Sequence, residues 1–173
     1  MFIPLHDDTP LRMIRLQYVT LAIIALNVVV FLLTGATGSE EQMLYTAAGF
    51  GIVPVELTGG VLEGALDPVP DPATLVTYQF LHAGWMHLLS NLLFLWVFAD
   101  NVEDAYGHFM FPLFYLVTGA VGGAVHVMVE PASTNPLIGA SGAVAGVMAA
   151  YLVMVSLIFV TINLVVDILY TIV

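Results

Sequence analysis

The chain has 173 residues, no cysteine, two basic residues and a formal charge of −11. Hydrophobic residues make up 60% and charged residues 9%, with a mean hydropathy of +1.01; a soluble domain carries roughly a quarter charged residues, so this is the composition of an integral membrane protein. Disulfides, thiolate metal sites and a cysteine nucleophile are excluded, and so is nucleic acid as a partner, because two cations cannot neutralise a run of phosphates.

Arg12 and Arg15 stand immediately before the first apolar run, Leu16 to Thr34. A membrane helix takes about 20 residues, and the positive-inside tendency puts residues 1–15 in the cytoplasm. The run exceeds a signal-peptide core of roughly 7–15 residues and no small-x-small cleavage site follows, so it reads as a span. From Gly35 to about Ala73, Gly, Pro, Asp and Glu interrupt apolar islands such as Met43-Leu44-Tyr45 and Gly51-Ile52-Val53-Pro54, the pattern of a structured loop with at most short helices. A second span is expected from about Thr77 to Ala99, ending at Asp100-Asn101-Val102-Glu103-Asp104, and a third from about Phe109 to Val129. Glu130 to Pro136 reads as a turn. The acids Asp7, Asp8, Glu40, Glu41, Glu56, Glu63, Asp67, Asp71, Asp100, Glu103, Asp104 and Glu130 fall in the loops and read as solvated charge.

By alternation the fourth segment enters from the outer face at Gly139, which brings His87 and Ser141 to the same side. From Gly139 to Val173 there is no proline and no charge except Asp167. A continuous helix would be about 52 Å long at 1.5 Å per residue, more than one span requires. Three possibilities stay open: a reversal near Val153 to Ser156, a helix that protrudes, or a tail foreign to what precedes it. The division is therefore residues 1–15, a membrane domain over 16–153, and a hydrophobic tail helix over 154–173.

Gly139-Ala140-Ser141-Gly142 places a serine between glycines at the start of an apolar helix. A serine hydroxyl needs a base and an oxyanion pocket before it acts as a nucleophile. The glycines permit a tight turn and close approach, and the free N–H groups of a helix N-terminus supply oxyanion donors. The bland alternative is small-residue packing through Gly142 and Gly146. His87 and Asn91, at i and i+4, share one helical face, and polar side chains within a span are costly enough to suggest a function. An interfacial histidine and an interhelical amide hydrogen bond are the alternatives. His82, five residues before His87, fits that face poorly, so no metal site is expected and no cofactor is implied.

Together these patterns resemble the rhomboid family of intramembrane serine proteases. Phe80-x-His82-x4-His87-x3-Asn91 is similar to its second-helix motif, and Asn135-Pro136-x2-Gly139-Ala140-Ser141-Gly142-Ala143-x-Ala145-Gly146 to its serine-bearing fourth helix; Gly119 to Gly123 with His126 also matches, and the likeness covers roughly residues 12 to 153. The resemblance implies an all-α, polytopic transmembrane helix bundle of four to five spans. It implies a serine endopeptidase that cleaves transmembrane protein substrates near the outer face of the bilayer, without metal or cofactor. Ser141 would be the nucleophile, with His87, Asn91 and the Ser141 N–H as the oxyanion pocket, and His82 would support a water-accessible cavity.

The family's general base is a histidine on a sixth helix, in an Ala-His-x-Gly-Gly type motif, and no histidine follows Ser141 here. His82 and His87 are already assigned, which leaves His126, His6 and His108 as the other histidines. The expectation is an incomplete or inactive protease domain in a prokaryotic inner membrane; the alternative is a non-catalytic relative that binds the transmembrane helices of clients. The small-residue face Gly142, Ala145, Gly146 and Ala149 would lack its family partner, which predicts weakened stability or self-association. The tail Phe159 to Tyr170 is also similar to the last helix of dipeptide ABC-transporter permeases, which would make a permease fragment the third reading. Oligomeric state is not legible.

Overall fold

The computed structural model describes residues 11–35, 39–60 and 68–172. His6, Asp7, Asp8, Glu63 and Asp67 lie outside the described residues. Helix α1, Tyr18–Thr34, buries Thr20, Ile23, Asn27 and Phe31, one stripe at spacings of three and four residues, as a packed helix requires. Helix α2, Glu40–Phe50, starts at Ser39, whose side chain accepts from the Gln42 N–H, and carries Glu40 and Glu41 in its first turn, where carboxylates suit the helix dipole. The short helices α3, Pro54–Leu57, and α4, Asp71–Thr77, follow. A 3₁₀ turn over Tyr78–Phe80 then leads into the span that carries His87.

Helix α5, Trp85–Val129, is broken at Gly107, where φ is 76°, a conformation glycine adopts without a steric cost. The break divides it into a first limb before Gly107 and a second limb after it. The first limb starts with His87 against Gly139 and the second ends with Gly122 against Gly142, so the limbs double back on each other. The expected second span ends at Asp100; instead the helix continues through Asn101 to Tyr106. Helix α6, Ser141–Ile172, is a single helix of 32 residues, about 48 Å long, with no reversal near Val153 to Ser156. Every side chain from Val155 to Tyr170 on it is exposed.

Leu95, Ala99, Val102, Phe111, Tyr115, Ala143, Val144 and Val147 form the core between the limbs and α6, with Ile23 of α1 against them. Helices α5 and α6 are long and apolar enough to cross a membrane, and α1 is a shorter apolar helix. The architecture is an all-helical membrane bundle.

Two expectations are corrected. Glu103 is not solvated loop charge but has 0% exposure. Its carboxylate accepts from the N–H groups of Val19 (3.0 Å) and Thr20 (2.8 Å), from the Thr20 hydroxyl (2.6 Å), and pairs with His108 Nδ1 (2.6 Å). Helix α1 has no side-chain cap from its own N-cap residue Gln17, so this carboxylate supplies the cap from a distant part of the chain. Asp104 similarly accepts from the N–H groups of Arg12, Met13 and Ile14, at 2.9, 2.7 and 2.7 Å. The second correction concerns the small-residue face of α6. A Cβ on Gly122 would lie 3.1 Å from Gly142 Cα, and one on Gly146 would lie 2.5 Å from Thr118 Cβ. Gly142 and Gly146 thus have a close partner in the second limb of α5, while Ala145 and Ala149 are exposed.

Candidate active site

The segment before Ser141 is fixed from outside its own helix. Ile52 and Leu137 form an antiparallel bridge, exchanging hydrogen bonds of 3.0 and 2.8 Å, while Val55 N–H donates to Ser133 O at 3.1 Å. The Thr58 hydroxyl donates to Pro131 O at 3.0 Å. Gly51 makes room for this approach: a Cβ there would meet Ile138 Cγ2 and Leu137 O, each at 2.9 Å. Sequence alone reads Gly51 to Pro54 as an apolar island in a loop; its pairing with residues 131–138 is set by tertiary contacts that no local pattern encodes.

Gly139 then turns the chain into α6 with φ of 124°, in the region that disfavours side chains. Its N–H donates to Tyr78 O at 2.9 Å. A Cβ on Gly139 would lie 2.5 Å from His87 Nε2, so only glycine lets the His87 ring approach the backbone two residues before Ser141. Ala140 O accepts the first helical bond, from Val144 N–H at 2.9 Å. The N–H groups of Ser141, Gly142 and Ala143 therefore precede the first intrahelical donor, Val144 N–H, and are available to an anion. Ser141 itself is exposed.

His87 Nδ1 accepts from the Ala83 N–H at 3.4 Å, an arrangement that suits the neutral tautomer with its proton on Nε2. The nitrogen facing Gly139 is then a donor. Asn91, one turn further, is buried at 5% exposure and donates through Nδ2 to His87 O at 2.9 Å, leaving its second amide hydrogen. The ring of His82 packs edge-on against that of His87, centroids 5.0 Å apart. His82 is 2% exposed, and neither ring nitrogen has a hydrogen-bond partner among the described residues. Beside it lies a cavity of about 10 Å³ lined in part by Thr34, Thr46 and Leu81, roughly the room one water needs.

The structure thus brings His87, His82 and the Gly139–Ser141 turn together, with Asn91 behind His87. His108 is engaged with Glu103 at the break in α5, and His126, half-buried near the end of the second limb, has no described contact with Ser141. The residue that sequence reading missed is Tyr78, whose carbonyl holds Gly139 and whose hydroxyl donates to Gly119 O at 2.6 Å. A tyrosine just before the Phe80-x-His82 motif was its only signal.

A membrane helix bundle that presents a serine at a helix N-terminus, beside a histidine donor, defines a class of intramembrane polar site. Residues 70–173 match the family described as the Rhomboid domain, and the chain belongs to the rhomboid family. It is 46% identical over 74 residues to Rhomboid-like protein 11, chloroplastic, of Arabidopsis thaliana, an alignment covering 43% of this chain and 26% of that protein. It is 31% identical over 137 residues to Rhomboid protease GluP of Bacillus subtilis (strain 168), covering 77% of this chain and 24% of that one. The chain therefore spans about a quarter of the length of these relatives.

Proposed function

We propose that this chain carries the nucleophile and oxyanion pocket of a rhomboid-type intramembrane serine endopeptidase acting on transmembrane proteins. The observation that carries the reading is the seating of His87 Nε2 against Gly139, two residues before an exposed serine at a helix N-terminus. Ser141 Oγ attacks the scissile carbonyl, and the developing oxyanion takes hydrogen bonds from the Ser141 N–H and His87 Nε2–H, with the spare amide hydrogen of Asn91 as a further donor. In this reading His87 serves as a donor rather than as the base. The Ser141 proton needs an acceptor that the described residues do not supply, so turnover by this chain alone is slow. Removing a base costs on the order of 10⁶ in kcat in a soluble serine protease, while an oxyanion pocket by itself retains about 10³–10⁴ over water.

With Arg12 and Arg15 before α1, we place the N-terminus in the cytoplasm and the site toward the opposite face. The test is fluorophosphonate labelling of the detergent-solubilised protein. Slow labelling is expected, abolished by Ser141→Ala and accelerated by added imidazole, which can accept the serine proton. If the folded protein shows no labelling with or without imidazole, the observation that Ser141 has no described base favours the second reading, a rhomboid-like protein that binds client helices without cleaving them.

A further inference from the structure

Tyr78 is 2% exposed, and a phenol so deeply buried requires a hydrogen-bond partner for its hydroxyl. The partner is the Gly119 carbonyl in the second limb of α5, at 2.6 Å. The same residue touches both sides of Ser141. Its carbonyl accepts the Gly139 N–H at 2.9 Å. Its hydroxyl lies 3.1 Å from where a Cβ on Gly142 would sit, and its ring 3.2 Å from where one on Gly123 would sit. Gly139 and Gly142 have no side chains to absorb a displacement, so any shift of Tyr78 passes directly to the backbone that carries Ser141.

We propose that Tyr78 is a positioning residue for Ser141, tying the Gly139 turn and the first turn of α6 to the second limb of α5 so that the serine and its free N–H groups hold one geometry. That Ser141 is the reactive position rests on the function proposed above. Tyr78 acts as a spacer of fixed length: its backbone carbonyl sets the entry angle of the chain into α6, and its phenol hydroxyl sets how deeply α6 settles on the second limb.

The chain has no cysteine, so Ser141→Cys gives a single thiol whose reactivity reports the local helix terminus without requiring proteolysis. A thiol at a helix N-terminus titrates below the free value of about 8.5. The measurement is the pH profile of iodoacetamide alkylation in the full detergent-solubilised chain, with Leu152→Cys on the same helix as the control. Adding Tyr78→Phe is expected to raise the midpoint at position 141 by about half a pH unit, slowing alkylation at pH 7 about threefold, and to leave position 152 unchanged. Gly142→Ala, which presses on the same hydroxyl from the other side, is expected to shift the profile likewise. The double variant Tyr78→Phe/Gly142→Ala is expected to return toward the parent, the new methyl filling the place of the lost hydroxyl.

An unchanged profile in Tyr78→Phe, or a double variant no closer to the parent than the singles, overturns the proposal and makes Tyr78 ordinary packing. Should Tyr78→Phe fail to fold, an unshifted profile in Gly142→Ala overturns it as well. A shifted thiol profile in a protein that takes no fluorophosphonate would sink the protease reading and leave the positioning role standing.

Discussion

At Gly139 a positive φ of 124° and the His87 ring act against any side chain. Gly139→Ala is expected to cost about 1–3 kcal/mol through backbone strain and to displace the ring, eliminating Ser141-dependent labelling; a thermal melt run beside the labelling assay checks both. His87→Ala, removing one of the proposed oxyanion donors, is expected to slow that labelling about 10²-fold. Asn91→Ala is expected to slow it less, because its amide is already shared with His87 O; equal losses would put Asn91 in the first rank of donors. Ser141, His87 and Asn91 stand out as candidates in the sequence because glycine flanking and i, i+4 spacing are local signals. Glu103 and Tyr78 do not. Glu103 reads as one more loop acid until the helix it caps, separated by 83 residues at Thr20, is placed beside it, and the proposed role of Tyr78 depends on the absence of side chains at Gly123 and Gly142.

Among the elements, the crossing of α6 over the second limb of α5 depends on close backbone approach. Gly146→Ala would drive a methyl into Thr118, and overpacking of this kind costs about 1–3 kcal/mol. The expected outcome is a lower SDS-unfolding midpoint for Gly146→Ala, with Ala149→Leu, on the exposed face, leaving it unchanged. The spans were visible as apolar runs, within two residues at the start of α1 and at its last residue, Thr34, but the second begins at Trp85 rather than about Thr77, because α4 and the 3₁₀ turn take up residues 71–80. Asp100 to Asp104 misplaced the end of the second span, because a charge cluster resembles a loop although here it continues the helix to Gly107. The uninterrupted course of α6 could not be read either: a run without proline or glycine fits a long helix and a reversal equally well.

Taken as a whole, the molecule has two ends with different bonding. At one, residues 51–58, which include α3, are laced to the segment before Ser141; at the other, Glu103 and Asp104 grip residues 12–20. The proposed orientation puts these ends on opposite faces of the membrane. In the cysteine-free background, Thr134→Cys is expected to react with an impermeant maleimide from outside the cell, and Ala105→Cys only after permeabilisation; the reverse pattern would invert the topology. The grip on α1 also has a consequence in time. The N–H groups of Val19 and Thr20 are synthesised 84 and 83 residues before the carboxylate that receives them, and at about 5–20 residues per second the delay is roughly 4–17 s. Through that interval the N–H groups that open the first helix must find other partners, and the contact that fixes them forms only when the hairpin of α5 arrives.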